Sequence, residues 1–186
     1  IKIYDNGPVF FKQARVTLNG EIFNIIKFRT MASNIDLKRG SSISVQENDD
    51  RITKPGAFLR KTRIDELPQL FNILSGKMSL VGPRPEMLSN VKKYTDEIPE
   101  FVYRQRVKCG LTGLAQIDGK YNTTAKDKLL LDLFYIENFS ILSDIKLIFR
   151  TLTVFFKNDS TEAFSSNKVE TPKLRKLSIT NGKKAK

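Results

Sequence analysis

Arg51–Glu86 reads RITKPGAFLRKTRIDELPQLFNILSGKMSLVGPRPE, and how this stretch folds decides how the rest of the chain is read. Pro55 suits the first turn of a helix, because its ring pre-sets φ and its missing N–H would have no helical partner there. Ala57, Phe58 and Leu59 give that helix an apolar side before Arg60, Lys61 and Arg63. A second helix is predicted to begin near Ile64–Glu66, with Pro68 tolerated only in its first turn. Leu67, Leu70, Phe71 and Leu74 then mark one buried helical face, which Ser75-Gly76 ends. Asp65 and Glu66 fall at that helix start, where free N–H groups and the positive dipole end favour an anion. Adjacent helical residues point about 100° apart, so two jobs suit them better than one. One carboxylate attacks or transfers a proton, and the other holds a metal. An ordinary acidic helix start accounts for the same two residues. Gly82-Pro83-Arg84-Pro85 tips the reading, since two fixed φ angles around one arginine aim a guanidinium well at a phosphate.

The long motifs carry a resemblance. DELPQLFNILSGKMSLVGPRPE, preceded by FFKQARVTLNGEIFNIIKFRTM and followed by GLTGLAQIDGKYNTT and LDLFYIENFSILSDIKLI, resembles the bacterial sugar transferases. These are the monotopic polyprenyl-phosphate phosphoglycosyl transferases that initiate exopolysaccharide, capsule, O-antigen and related glycans. The likeness runs from about Gly7 to Lys157. It implies transfer of a sugar 1-phosphate from a UDP-sugar donor to undecaprenyl phosphate, with release of UMP, through a covalent intermediate on Asp65. It also implies Mg2+ held with the help of Glu66, and phosphate binding by Lys27 of the KFRTM motif, Arg63 and Arg84. Asp132, in the DLFY-type motif, joins them as a further substrate-site residue. The expected setting is the cytoplasmic face of the bacterial inner membrane. The family carries an apolar membrane-inserted helix upstream, which this sequence lacks; a homo-oligomer is compatible with the likeness. Cys109 stands where the family usually has proline, and Leu114 where it often has tryptophan. Neither change removes a charged group.

Composition narrows the chemistry independently. The 186 residues contain no histidine and one cysteine, which excludes a His/Cys zinc site, a disulfide framework and Ser-His-Asp or Cys-His catalysis. Asp, Glu, Lys, Arg and Tyr remain, with a hard cation such as Mg2+ on oxygen ligands. The net charge is +12, and Ser165–Lys186 alone carries seven Lys/Arg against one glutamate. Such a balance suits phosphorylated substrates, anionic lipid or nucleic acid. A nucleic-acid-binding domain is the chief alternative, and an inactive interaction module the second. The cations, however, are scattered among Gly/Pro motifs and paired carboxylates instead of forming a stripe with exposed stacking aromatics, so no nucleic-acid partner is expected. Ser75-Gly76-Lys77-Met78-Ser79 lacks the upstream glycines of a P-loop. Leu129–Phe156, the greasiest region, is broken by Asp132, Glu137, Asp144, Lys146 and Arg150 and does not read as a membrane span.

Elsewhere, Asn19-Gly20 between Gly7–Gln13 and Glu21–Phe28 signals a β-hairpin. Ser33–Asp50 reads as a mobile loop, in which Asp49-Asp50 would cap turns or hold a cation. Met87–Tyr94 and Phe101–Val107 read as helices, the second with Arg104 and Arg106 either solvated or facing phosphate. Cys109–Gly119 reads as a glycine-punctuated loop. Lys126–Glu137 and Ile141–Phe156 read as helices; Lys146, Arg150 and Lys157 give the second an amphipathic pattern fit for a membrane interface or for core packing. Asp132 on the first needs a cationic partner if buried. The expected fold is α+β: a mainly helical single domain with a small N-terminal β-hairpin, amphipathic interface helices and long Gly/Pro-rich loops. Residues 1–160 form the catalytic domain and 161–186 a basic, disordered tail.

Overall fold

In the computed structural model, which describes residues 1–32, 49–119 and 123–156, a short helix α1 (Lys2–Asp5) precedes the expected hairpin. Strands β1 (Phe10–Val16) and β2 (Ile22–Phe28) pair antiparallel, from Phe10 opposite Phe28 to Val16 opposite Ile22. The reversal succeeds because Asn19 (φ 54°) and Gly20 (φ 80°) accept positive φ in succession. Phe23 and Ile25 point inward onto Met78 and Cys109, with Ile73 against them. A lone ribbon is marginal in water, and this packing gives it permanence.

Helix α2 (Lys54–Lys61) starts as predicted. Thr53 Oγ1 accepts from the Gly56 amide at 3.0 Å, and Pro55 lies in the first turn. A 3-10 turn (Ile64–Glu66) then leads through Pro68 into α3 (Gln69–Leu74). Here the sequence reading is inverted. Leu67, Leu70, Phe71 and Leu74, expected to be buried, are exposed, with Phe71 at 61% and Leu74 at 84%. The buried face carries Gln69 and Asn72. The reason is hydrogen bonding: the Asn72 side chain donates to Asn24 O at 2.9 Å and accepts from Ile26 N at 3.0 Å. One amide thereby satisfies a donor and an acceptor of β2 that burial would otherwise orphan.

The glycine-punctuated stretch is also more regular than a loop. Gly110–Thr112 forms β4 and pairs in parallel with β3 (Ser79–Val81), and α5 (Leu114–Asp118) follows. Gly82, Gly110 and Gly113 let these backbones nearly touch: a Cβ on Gly110 would lie 2.1 Å from Gly82 N, and one on Gly113 2.1 Å from Gly82 O. Between β3 and β4 come α4 (Leu88–Glu97) and an eight-residue 3-10 helix (Pro99–Arg106). Helix α6 (Ala125–Glu137) opens with a capping box between Thr124 and Asp127, and α7 (Ile141–Phe156) follows. Val81, Tyr135 and Leu147 form a second core cluster flanked by Leu114, Ile117, Ile136 and Ile148.

Both late helices also expose apolar side chains: Leu130 and Phe134 on α6, then Ile141, Leu142, Ile145, Phe149 and Leu152 on α7. No helix among the described residues is long and apolar enough to cross a membrane. The fold is thus a mixed α+β domain with its small hairpin at the front. The loop expectation at 33–48 and the tail expectation at 161–186 lie outside the described residues. Asp49 is described, and its carboxylate is bound by the Arg51 guanidinium at 2.6 Å.

Candidate active site

Asp65 and Glu66 lie on the 3-10 turn and not at the start of a long helix, so the helix dipole expected to govern them has no part. Arg63 begins this turn at φ 53°, a left-handed conformation that non-glycine residues seldom adopt. It turns the chain sharply and brings Glu66 against β2. Lys27 Nζ donates to Glu66 Oε1 at 2.8 Å, and Arg84 Nη2 stands 3.7 Å from the same oxygen. Lys27, Glu66 and Arg84, the first two 39 residues apart in the chain, therefore form one charge cluster.

The two carboxyls are driven in opposite directions. Burial alone would raise Glu66, but Lys27, Arg84 and Arg63 outweigh it and hold the carboxyl at about 2. Burial raises Asp65, and the neighbouring Glu66 charge raises it further, against the opposing pull of Lys27 and Arg60. Burial lowers Lys27, while Glu66 restrains the fall. Glu66 is thus a fixed anion and Asp65 a poorly solvated, more basic carboxylate. Divergent neighbours of this kind are what division of labour between two acids requires.

A cleft beside Glu66 is lined by Arg15, Lys27, Gln69 and Arg84, with an empty volume of about 230 Å³ including its open mouth. Three cations, Arg15, Lys27 and Arg84, thus line one small concavity. Arg84 is exposed between buried neighbours on the Gly82–Glu86 turn, which presents its side chain outward. Arg104 Nη2 donates to Arg84 O at 3.0 Å, Arg15 Nη1 to Pro85 O at 3.0 Å, and Val16 N to Glu86 O at 3.2 Å.

Asp132 stands apart from this cleft. Its side chain is 2% exposed and accepts from Arg104 Nε at 2.9 Å, with Arg104 Nη2 forming an ion pair at 2.6 Å to the same oxygen. The cationic partner demanded by burial is Arg104, so Arg104 is buried in an ion pair and not solvated. Arg106 is exposed and stacks on Tyr103, its guanidinium carbon 4.5 Å from the ring centre. Arg60 was not marked out by the sequence; its Nε donates to Thr30 Oγ1 at 2.8 Å while its charge acts on Asp65. Arg15 lies on β1 and donates Nη2 to Gln13 Oε1 at 2.6 Å. Strand alternation could have paired it with Gln13 on one face, but not with Pro85, 70 residues away.

Among the described residues no three Asp, Glu, His or Cys side chains converge as a metal-binding group. Mg2+ needs only one or two carboxylates when substrate phosphates supply further oxygens, so Glu66, held ionised, with Asp65 beside it, fits that lesser demand.

Comparison with known proteins places residues 1–158 under the family described as bacterial sugar transferase. The chain belongs to that family. It is 43% identical, over 82% of its length, to the UDP-N-acetylgalactosamine-undecaprenyl-phosphate N-acetylgalactosaminephosphotransferase of Aeromonas hydrophila, covering 36% of that protein. It is 42% identical, over 86% of its length, to the UDP-glucose:undecaprenyl-phosphate glucose-1-phosphate transferase of Klebsiella pneumoniae, covering 35% of it. A galactosyl transferase of Streptococcus agalactiae is 45% identical over 81% of this chain and 35% of its own length. This bacterial sugar transferase chain thus spans about a third of the length of these relatives.

Proposed function

We propose that this domain transfers a sugar 1-phosphate from a UDP-sugar to undecaprenyl phosphate, with Asp65 as nucleophile in two displacements at one phosphorus. The reading rests on adjacent carboxylates held in different states, Glu66 at about 2 and Asp65 raised, beside a cleft lined by cations. The Asp65 oxygen attacks the phosphorus bearing the sugar, and the bond to the UMP oxygen breaks with its electron pair leaving on UMP. A phosphate oxygen of undecaprenyl phosphate then attacks the same phosphorus. The Asp65–phosphorus bond breaks, leaving a diphospho-linked lipid and a free carboxylate. Splitting the transfer this way avoids bringing two polyanions together in one step.

Desolvation makes Asp65 a stronger nucleophile than a wet carboxylate, and proximity to Lys27 and Arg60 keeps its ionised form accessible. Arg84 takes the donor phosphates, with Lys27 and Arg63 adding positive potential. Glu66 orients Lys27 and Arg84 and supplies the permanent oxygen anion for a metal. Bound there, Mg2+ would neutralise charge developing on the diphosphate. The apolar faces of α3, α6 and α7 suit a membrane interface, on the cytoplasmic side where the nucleotide sugar is found.

A rapid-mix assay on the full-length protein tests the scheme. UMP released in a burst before any lipid acceptor is added, and lost in Asp65→Asn, is the expected result. Turnover that strictly requires both substrates together would sink the covalent route.

A further inference from the structure

The buried pair formed by Arg104 and Asp132 makes no contact with the proposed reacting groups, yet its placement is costly. Both side chains are at most 5% exposed, and desolvating two charges commonly offsets the attraction between them. Well-packed apolar residues would serve stability as well or better. What apolar residues could not do is reach the Arg84 carbonyl. Arg104 donates Nε to Asp132 and Nη2 to Arg84 O; Nη2 also lies 2.6 Å from Asp132 Oδ2 as an ion pair, and Nη1 lies 3.8 Å from Glu86 Oε1. Its guanidinium carbon sits 4.8 Å from the Phe101 ring centre, which fixes the plane of the fork. The turn it grips has prolines at 83 and 85 and therefore few amides of its own for internal bonding. Its successive carbonyls at 84, 85 and 86 are each held from outside, by Arg104, Arg15 and Val16 N.

We infer that Arg104 and Asp132 are positioning residues that set the Arg84 guanidinium for donor phosphate by clamping its backbone from α6 and the Pro99–Arg106 helix. Asp132 holds the fork of Arg104 in plane, and Arg104 holds the carbonyl. A lysine in place of Arg104 has one nitrogen and cannot bridge Asp132 and Arg84 O in the same way. This inference rests on Arg84 being a donor-binding residue, as proposed above.

The test uses full-length protein in membranes, with UMP release measured on UDP-glucose, UDP-galactose and UDP-N-acetylgalactosamine, and kinetics taken on whichever is turned over. The double variant Arg104→Met/Asp132→Leu removes both charges together and keeps the site packed. Its thermal midpoint should stay close to that of the parent while the donor KM rises about ten-fold, comparable with Arg84→Ala. Adding Arg84→Ala to the double variant should cost little more, because both act through the same guanidinium; independent structural damage would add. Arg104→Lys, which keeps the charge, should show the same rise in donor KM and serves if the double variant does not fold. A donor KM within about two-fold of the parent in the folded variants, or full additivity with Arg84→Ala, overturns the inference. If Arg84→Ala itself leaves donor KM unchanged, the donor-site reading of Arg84 fails, and the positioning role falls with it.

Discussion

Replacing Phe71 and Leu74 by serine separates two meanings of an apolar helix face. In the fold, Phe71 is 61% and Leu74 84% exposed, so each has little protein contact to lose. Complete burial of such a side chain is worth about 1.5–3 kcal/mol, and the exposed fractions leave roughly 3 kcal/mol for the pair on entering an apolar phase. Half-immersion at an interface halves this to about 1.5 kcal/mol, or about ten-fold in partitioning. The double variant should therefore bind phosphatidylethanolamine–phosphatidylglycerol vesicles about ten-fold more weakly in co-sedimentation. Its urea-unfolding free energy should move by less than about 0.5 kcal/mol, as expected of surface positions. The opposite outcome, a core-like loss of about 3 kcal/mol or more with unchanged vesicle binding, would refute the reasoning and restore the buried face that periodicity suggested.

Three further outcomes follow from the geometry. Glu66 has its carboxyl depressed from 4.5 to about 2, so its contribution is present above about pH 4.5 and lost as pH falls through about 2; the difference corresponds to roughly 3 kcal/mol. Urea unfolding in a pH series should show Glu66→Gln lacking that part of the acid limb, and coincident limbs would contradict the cluster. Burial pushes the Cys109 thiol from 9.0 up to about 11, so native protein should react with iodoacetamide at pH 8 about 100-fold more slowly than unfolded protein. The same raised value means that stability is intact below pH 9 and declines as pH climbs toward 11. Asn72→Leu should cost about 1–3 kcal/mol although it adds apolar surface, because Ile26 N and Asn24 O lose their shared partner; an unchanged midpoint in urea would refute the bridging role.

Signals carried by a few consecutive residues were legible before any coordinates. Asn19-Gly20 turned the hairpin and Pro55 opened α2, whereas the caps supplied by Thr53 and by Thr124 with Asp127 emerged only in the fold. The adjacency of Asp65 and Glu66 was plain, but the source of their electrostatics was not. The dipole argument presumed a helix start, whereas Lys27 and Arg84 arrive from a strand and a distant turn. Arg104 could be seen as a cation on a short basic helix, yet its partner sits 28 residues on, inside α6.

The amino-acid order alone determined where the chain bends, which segments are amphipathic and which acids and cations the chemistry can draw on, since these follow from local backbone preference and side-chain type. Only the tertiary structure decided which side of α3 faces inward, that β3 and β4 pair, and that Glu66 and Asp65 diverge in proton affinity. A helical period reports that a face is apolar without naming its neighbour. In α3 the neighbour was an unpaired strand edge, and satisfying its hydrogen bonds with Asn72 turned Leu70, Phe71 and Leu74 outward.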